Sequence, residues 1–258
     1  MLAGNFAPFF AVASFVGVLL MLEWGRRIGR RRYAEEGEAA RTGMEAVEGS
    51  VYALTGLLIA FTFSGAAQRF DQRKQLVTEE ANAIGTAWLR IDLLAPQAQA
   101  PLRALFREYA DSRIAVYRKL PDLAAARVEL ARSGKLQNGI WAATAQACKA
   151  GEATAACLLM VPALNEMFDI TTTRLAATLM HPPWVIYGIL WLFVLVSALF
   201  AGQSMCATRR RVSLHYAVYA LVMGAILYVI ADIEFPRAGL IRVDDIDQLL
   251  VQLRASMG

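Results

Sequence analysis

Four stretches of this chain carry no Asp, Glu, Lys or Arg: Met1 to Leu22, Gly49 to Gln68, Pro182 to Thr208 and Val212 to Ala231. Each reaches or exceeds the ~18 residues that a helix needs to cross a bilayer. Strand-like alternation with regular turn signals is missing, so the spanning structure predicted is helical and not a barrel. The pattern predicts an all-α membrane protein with transmembrane helices at 1–24, 49–68, 182–208 and 212–234.

Between the second and third of these spans, residues 69–181 form the one long non-membrane region, predicted as a helical extramembrane domain. Its punctuation is Pro96, Pro101, Pro121, Gly134, Gly151 and Pro162, and the residues between these marks favour helix. From Ser50 to Leu94 there is no proline, so the second span is expected to run on into this region as one helix, roughly 65 Å long at 1.5 Å per residue. Residues 235–258 form an amphipathic tail. In it Ile246, Leu249, Leu250 and Leu253 share a stripe, and Asp244, Asp245 and Asp247 occupy the first turn. This helix is expected to pack on the central domain or on a neighbouring subunit.

Composition agrees with the pattern: 57% of the residues are hydrophobic and mean hydropathy is positive. Charge then sets direction. The first span ends at Glu23-Trp24 and is followed by Arg26, Arg27, Arg30, Arg31 and Arg32. A secretory signal peptide carries its basic residues before the apolar core, so this segment reads as a retained anchor. The basic loop 25–48 and the turn at Arg209, Arg210 and Arg211 both favour the cytoplasm. That places the N-terminus, the central domain and the C-terminus outside, in the periplasm of a bacterial inner membrane. Cys148 and Cys157 enclose a short loop in the central domain and are candidates for a disulfide, the alternative being two small buried thiols.

Catalytic chemistry finds no foothold in the sequence. The two histidines, His181 and His215, lack ligand spacing to cysteine or to each other, and neither a phosphate-cradling glycine loop nor a nucleophile elbow occurs. The expectation is therefore no enzyme, no metal and no cofactor. A net charge of +4 is modest, and the arginine cluster flanks a span, so nucleic acid is not an expected partner. Membrane lipids and small inorganic ions are.

The second span carries the most suggestive arrangement. Ser50, Leu54, Leu57, Phe61, Ser64 and Gln68 recur at steps of four and three and share one helix face. Polar residues close that face at both ends and bulky apolar ones fill its middle, as in a pore helix with a hydrophobic constriction. Ordinary helix packing gives the same periodicity, and Gly56, Ala60, Gly65 and Ala66 also permit close helix contact. Two charged groupings lie elsewhere. Asp232 and Glu234 end the fourth span beside Arg237 and Arg242, either as a cation-gathering mouth or as structural ion pairs. Glu166 and Asp169 are spaced to face together, with Arg174 about one turn beyond.

After the second span, Arg69-Phe70-Asp71-Gln72 resembles a shortened form of the Arg-Trp-Trp-Asn-Gln stretch that follows the inner pore helix of bestrophin ion channels. The chain is more closely similar to the bacterial bestrophin-like family, on versions of Phe61-Thr-Phe-Ser-Gly-Ala66, Glu80-Ala-Asn-Ala-Ile-Gly85, Asn165-Glu-Met-Phe-Asp-Ile-Thr-Thr-Thr-Arg174 and Asp232-Ile-Glu-Phe-Pro-Arg-Ala-Gly-Leu-Ile-Arg242. The resemblance implies a homo-oligomer that conducts ions passively through a pore lined by the second span. Leu57 and Phe61 would form its constriction, Ser64 and Gln68 its polar mouth, and Arg69 and Arg73 a vestibule favouring anions. It also implies a cytoplasmic central region, against the charge count. The competing expectations are a non-conducting scaffold or envelope sensor and, third, a membrane enzyme acting through Glu166, Asp169 and Asp232.

Overall fold

The computed structural model describes residues 6–36, 45–120, 122–150, 154–205, 213–235, 240–241 and 244–258. Among these residues the regular structure is entirely helical: α1 (Phe6–Glu36), α2 (Glu45–Arg90), a 3-10 turn (Ile91–Leu93), α3 (Pro96–Arg118), α4 (Leu123–Lys149), α5 (Thr154–Leu179), α6 (Trp184–Ser204), α7 (Ser213–Glu234) and α8 (Asp244–Ser256). Four helical segments are long and apolar enough to cross a membrane, as the charge-free stretches predict.

Local chemistry sets most helix ends. Pro96 occupies the first turn of α3, where a missing N–H removes no helical bond. Asp122 caps α4, its Oδ1 accepting from the N–H groups of Ala124 (3.0 Å) and Ala125 (3.1 Å). Pro182 and Pro183 keep α5 from running on into α6, because neither ring can donate to a helix ladder.

Four expected boundaries differ. The first helix does not end near Trp24. It continues through Arg26 to Arg32 as far as Glu36, since arginine is a good helix former and Gly25 and Gly29 do not break the run. Pro101, Gly134 and Pro162 are interior to α3, α4 and α5 and do not divide them. An interior proline removes one ladder bond at about 3 kcal/mol. Near Pro162 the tertiary packing offsets that loss: Met160, Ala163, Leu164 and Met167 are all buried, and Arg90 Nη1 donates to the carbonyl of Leu159 at 2.5 Å.

The chain divides into two compact units. The first comprises Met1–Gln68 and His181–Ile241. Its core joins Val18 and Leu22 of α1, Leu190, Val194 and Ala198 of α6, and Ala220, Leu227 and Ile230 of α7. Helices α1 and α6 touch backbone to backbone: a Cβ at Gly25 would collide with the carbonyl of Leu199, and one at Gly202 with the carbonyl of Leu22. Only glycine permits this approach.

The second unit comprises Arg69–Met180 and Arg242–Gly258. Its core gathers Ile84, Trp88 and Ile91 from α2 and its 3-10 turn, Leu102, Phe106 and Tyr109 from α3, Ile140 from α4, Leu164 and Met167 from α5, and Leu250 from α8. Helix α8 is tied down by polar contacts as well, with Arg254 Nε donating to Asp111 Oδ1 (2.9 Å) and Arg107 Nε to the Met257 carbonyl (3.0 Å). Helix α2 contributes residues to both units without a break in its hydrogen-bond ladder.

Candidate functional site

Within the first unit α2 buries a narrow stripe. Thr55 and Ala66 are enclosed, and Thr55 Oγ1 hydrogen-bonds both the Val51 carbonyl (2.7 Å) and Ser197 Oγ of α6 (2.7 Å). A hydroxyl in an apolar setting needs such partners. The opposite face of the helix carries Ser50, Leu54, Leu57, Phe61, Ser64 and Gln68, and all six are exposed, Phe61 by 67%. Of the four apolar helical segments, α2 is the least buried. Gly56, on a third side, has open space around it, while Ala66 is enclosed; the backbone-to-backbone glycine contacts of this unit lie between α1 and α6.

Past the apolar stretch, Arg69 is half-buried. Arg73 is buried in the second unit, where Nε donates to the Ala177 carbonyl (3.2 Å) and Nη2 to the Met180 carbonyl (3.1 Å). The first of these carbonyls lies in the last turn of α5 and the second just past it, where orphan acceptors and the negative dipole end suit a cation.

Asp232 and Glu234 are fully buried at the end of α7. Asp232 accepts the backbone N–H groups of Leu240 (3.0 Å) and Ile241 (2.8 Å), clasping the returning chain. Glu234 Oε1 lies 2.9 Å from His181 Nδ1, and the imidazole stacks on Phe235 at 4.7 Å. Their expected partners Arg237 and Arg242 lie outside the described residues, as do Arg209 to Arg211.

Cys148 and Cys157 are joined in a disulfide that links the end of α4 to the start of α5, with their Cα atoms 5.9 Å apart. The bridge closes a loop across a sequence separation of 9. Chain entropy assigns it about 2.5 kcal/mol. The double Cys148→Ala/Cys157→Ala variant is expected to lose about that much stability, read as a lower denaturant midpoint that reductant does not lower further.

On α5, Glu166 and Asp169 are both exposed, whereas Arg174 is buried. It lies on the buried side of the helix, because eight residues from Glu166 amount to 2.2 turns. There it joins a network that the sequence reading did not assign. Glu80 of α2 accepts from Arg113 Nε of α3 (2.5 Å), from Arg174 Nη1 and from the Tyr117 hydroxyl (3.2 Å). Arg174 Nη2 reaches Asp247 of α8 (3.3 Å), and its guanidinium sits 3.7 Å over the Tyr117 ring. Two carboxylates thus meet two guanidiniums. Burial alone would lower the affinity of Arg113 for its proton, but Tyr117 and Glu80 beside it outweigh that and hold it above its usual range. Burial pushes the Tyr109 hydroxyl up to about 12. A signal for the network existed: Glu80 interrupts the apolar stripe Leu76, Val77, Ala83, Ile84, Ala87 on α2, and Arg113 interrupts Phe106, Tyr109, Val116 on α3.

Among the described residues, no three His, Cys, Asp or Glu side chains converge as a metal site. The exposed α2 stripe is the arrangement that most needs an explanation.

Residues 10–246 match the family described as Bestrophin-like domain. No curated protein sequence matches the chain. Among solved structures, the chain is similar to variants of a bacterial bestrophin homologue from Klebsiella pneumoniae. One has a TM-score of 0.70 at 13% identity, covering 97% of this chain and 98% of that one. Another has a TM-score of 0.67 at 14% identity, covering 92% and 98%. A structure of the same homologue obtained by Zn-SAD phasing gives 0.63 at 15% identity, covering 96% and 98%. At these identities the likeness is one of fold.

Proposed function

The chain belongs to the bestrophin-like family, and from that membership we propose that it is an oligomeric membrane channel passing ions down their gradients through a pore lined by α2. The observation that carries this reading is the exposed face Ser50, Leu54, Leu57, Phe61, Ser64 and Gln68 on the least buried apolar helix. A ring of subunits that turned this face inward would place Leu57 and Phe61 at a dewetting constriction and Ser64 and Gln68 at a polar mouth. Arg69 would add positive potential there and favour anions. The Arg73 guanidinium is committed to the end of α5, so its part in a vestibule is that of a strut.

In this reading the second unit is the extramembrane domain inserted between the second and third spans. The Cys148–Cys157 disulfide supports an oxidising compartment for it, and with the arginines after Trp24 favours a periplasmic domain in a bacterial inner membrane.

Flux of chloride and of potassium from liposomes tests the proposal. Phe61→Ala is expected to raise the flux roughly tenfold, the change that about 1.4 kcal/mol off a barrier produces. Silence in both proteins, with the oligomer intact, would favour the scaffold or sensor reading, in which the unbroken α2 carries the domain's state into the membrane.

A further inference from the structure

Helix α1 presents two opposite faces to two different environments. Ser14, Val18, Leu22, Gly25, Arg26 and Gly29 form its buried side. On the other side Phe9, Val12, Val16, Leu20 and Trp24 are exposed and follow one another at steps of three and four. The same face continues, again at steps of three and four, into Arg27 and Arg31, with Arg30 beside them; all three are exposed, the Arg27 side chain by 72%. So one outward stripe is apolar for about three turns, becomes Trp, and then becomes arginine without leaving the helix.

We propose that this face of α1 is a docking surface for anionic phospholipid headgroups. The inference rests on the membrane reading of α1 and not on ion conduction. An exposed Trp at the end of an apolar stripe sits at the level where hydrocarbon meets headgroups. At 1.5 Å per residue, Arg27 and Arg31 lie about 4.5 and 10.5 Å beyond Trp24 along the axis. Helical side chains tilt toward the N-terminus, which here is the membrane side, so long arginines reach back to the phosphates.

The nearby carboxylates do not cancel this charge. Glu23 is shared by Arg27 Nε (3.2 Å) and the buried Arg26 (3.8 Å), and this leaves the Arg27 Nη groups for a second anion. Glu35 is the next acid on the outward face, about 16.5 Å past Trp24, beyond a headgroup layer of ~5–7 Å. Arg27 within that layer, with Arg30 and Arg31 reaching back toward it, complements phosphate charge and its bidentate geometry.

Trp24 itself is the probe. The full chain is reconstituted in phosphatidylcholine vesicles holding a minority of phosphatidylglycerol, with bromine on the acyl chains of one lipid or the other. Subtracting the Trp24→Phe signal isolates quenching at this site from that of the other four tryptophans. Quenching by brominated phosphatidylglycerol is expected to exceed its mole fraction on the order of tenfold, and to fall as salt is added. The Arg27→Gln/Arg30→Gln/Arg31→Gln variant is expected to return it to the mole fraction. Quenching by the two lipids in proportion to their amounts, or enrichment unchanged in the triple variant, would overturn the anionic preference and leave the membrane reading standing. Quenching of Trp24 by neither lipid would overturn both.

Discussion

The Glu80→Gln variant is expected to unfold about 3–5 kcal/mol more easily than the wild-type chain. Glu80 is fully buried between Arg113 and Arg174, which are nearly as enclosed. Removing its charge leaves two guanidiniums in a low-dielectric core with Asp247 as the one remaining carboxylate of the network, and one of them keeps an uncompensated charge. The amide also turns a donor toward groups that are already donors. Denaturant unfolding in detergent, followed by fluorescence with Trp88 in the same core, measures the loss. The double variant Glu80→Gln/Arg174→Gln is expected to lose less than the sum of the single variants, because it deletes a charge together with its counter-charge. A single variant within roughly 1 kcal/mol of wild type would mean that solvent reaches the network.

Gly202→Ala is expected to destabilise the first unit by about 3 kcal/mol, and Gly25→Ala by a similar amount. In each case the new methyl group meets a backbone carbonyl, that of Leu22 or Leu199, and a carbonyl inside a helix cannot swing aside as a flexible side chain can. Relief requires α1 and α6 to separate, which would break the contacts of Leu22 and Ala198 in the core. Gly56→Ala and Gly188→Ala are the controls. A Cβ at either position meets nothing within 4 Å. These changes are expected to be neutral or to add up to ~1 kcal/mol of helix stability. Melting temperatures in one detergent compare all four, and loss at positions 25 and 202 alone is the expected pattern.

How much of this was legible beforehand depends on the range of the interaction involved. The four apolar helical segments follow from runs of uncharged residues, and the long α2 from the absence of proline between Ser50 and Arg90. The outward stripe on α2 was readable because side chains three and four apart share a helix face whatever surrounds them. Interior prolines were harder. Pro101 and Pro162 carry the local signal of a helix end, and the packing of Leu102 and Phe106 on α3 and of Met160, Leu164 and Met167 on α5 overrides it. Arg73 offered no clue to its target, because the carbonyls it meets lie more than 100 residues away.

The sequence by itself therefore determined which segments are helical and apolar, where their charge changes sign, and which residues share a face. These depend on backbone periodicity and on transfer from water, both properties of a contiguous stretch. Only the tertiary structure decided which faces are covered. It turned the Ser50 to Gln68 stripe outward and sent Thr55 to Ser197. It also brought Glu80, Arg113, Arg174 and Asp247 into one buried cluster from four different helices. A buried charge is tolerated when counter-charges reach it through space, and one chain's linear order does not specify which of its distant carboxylates and guanidiniums will meet.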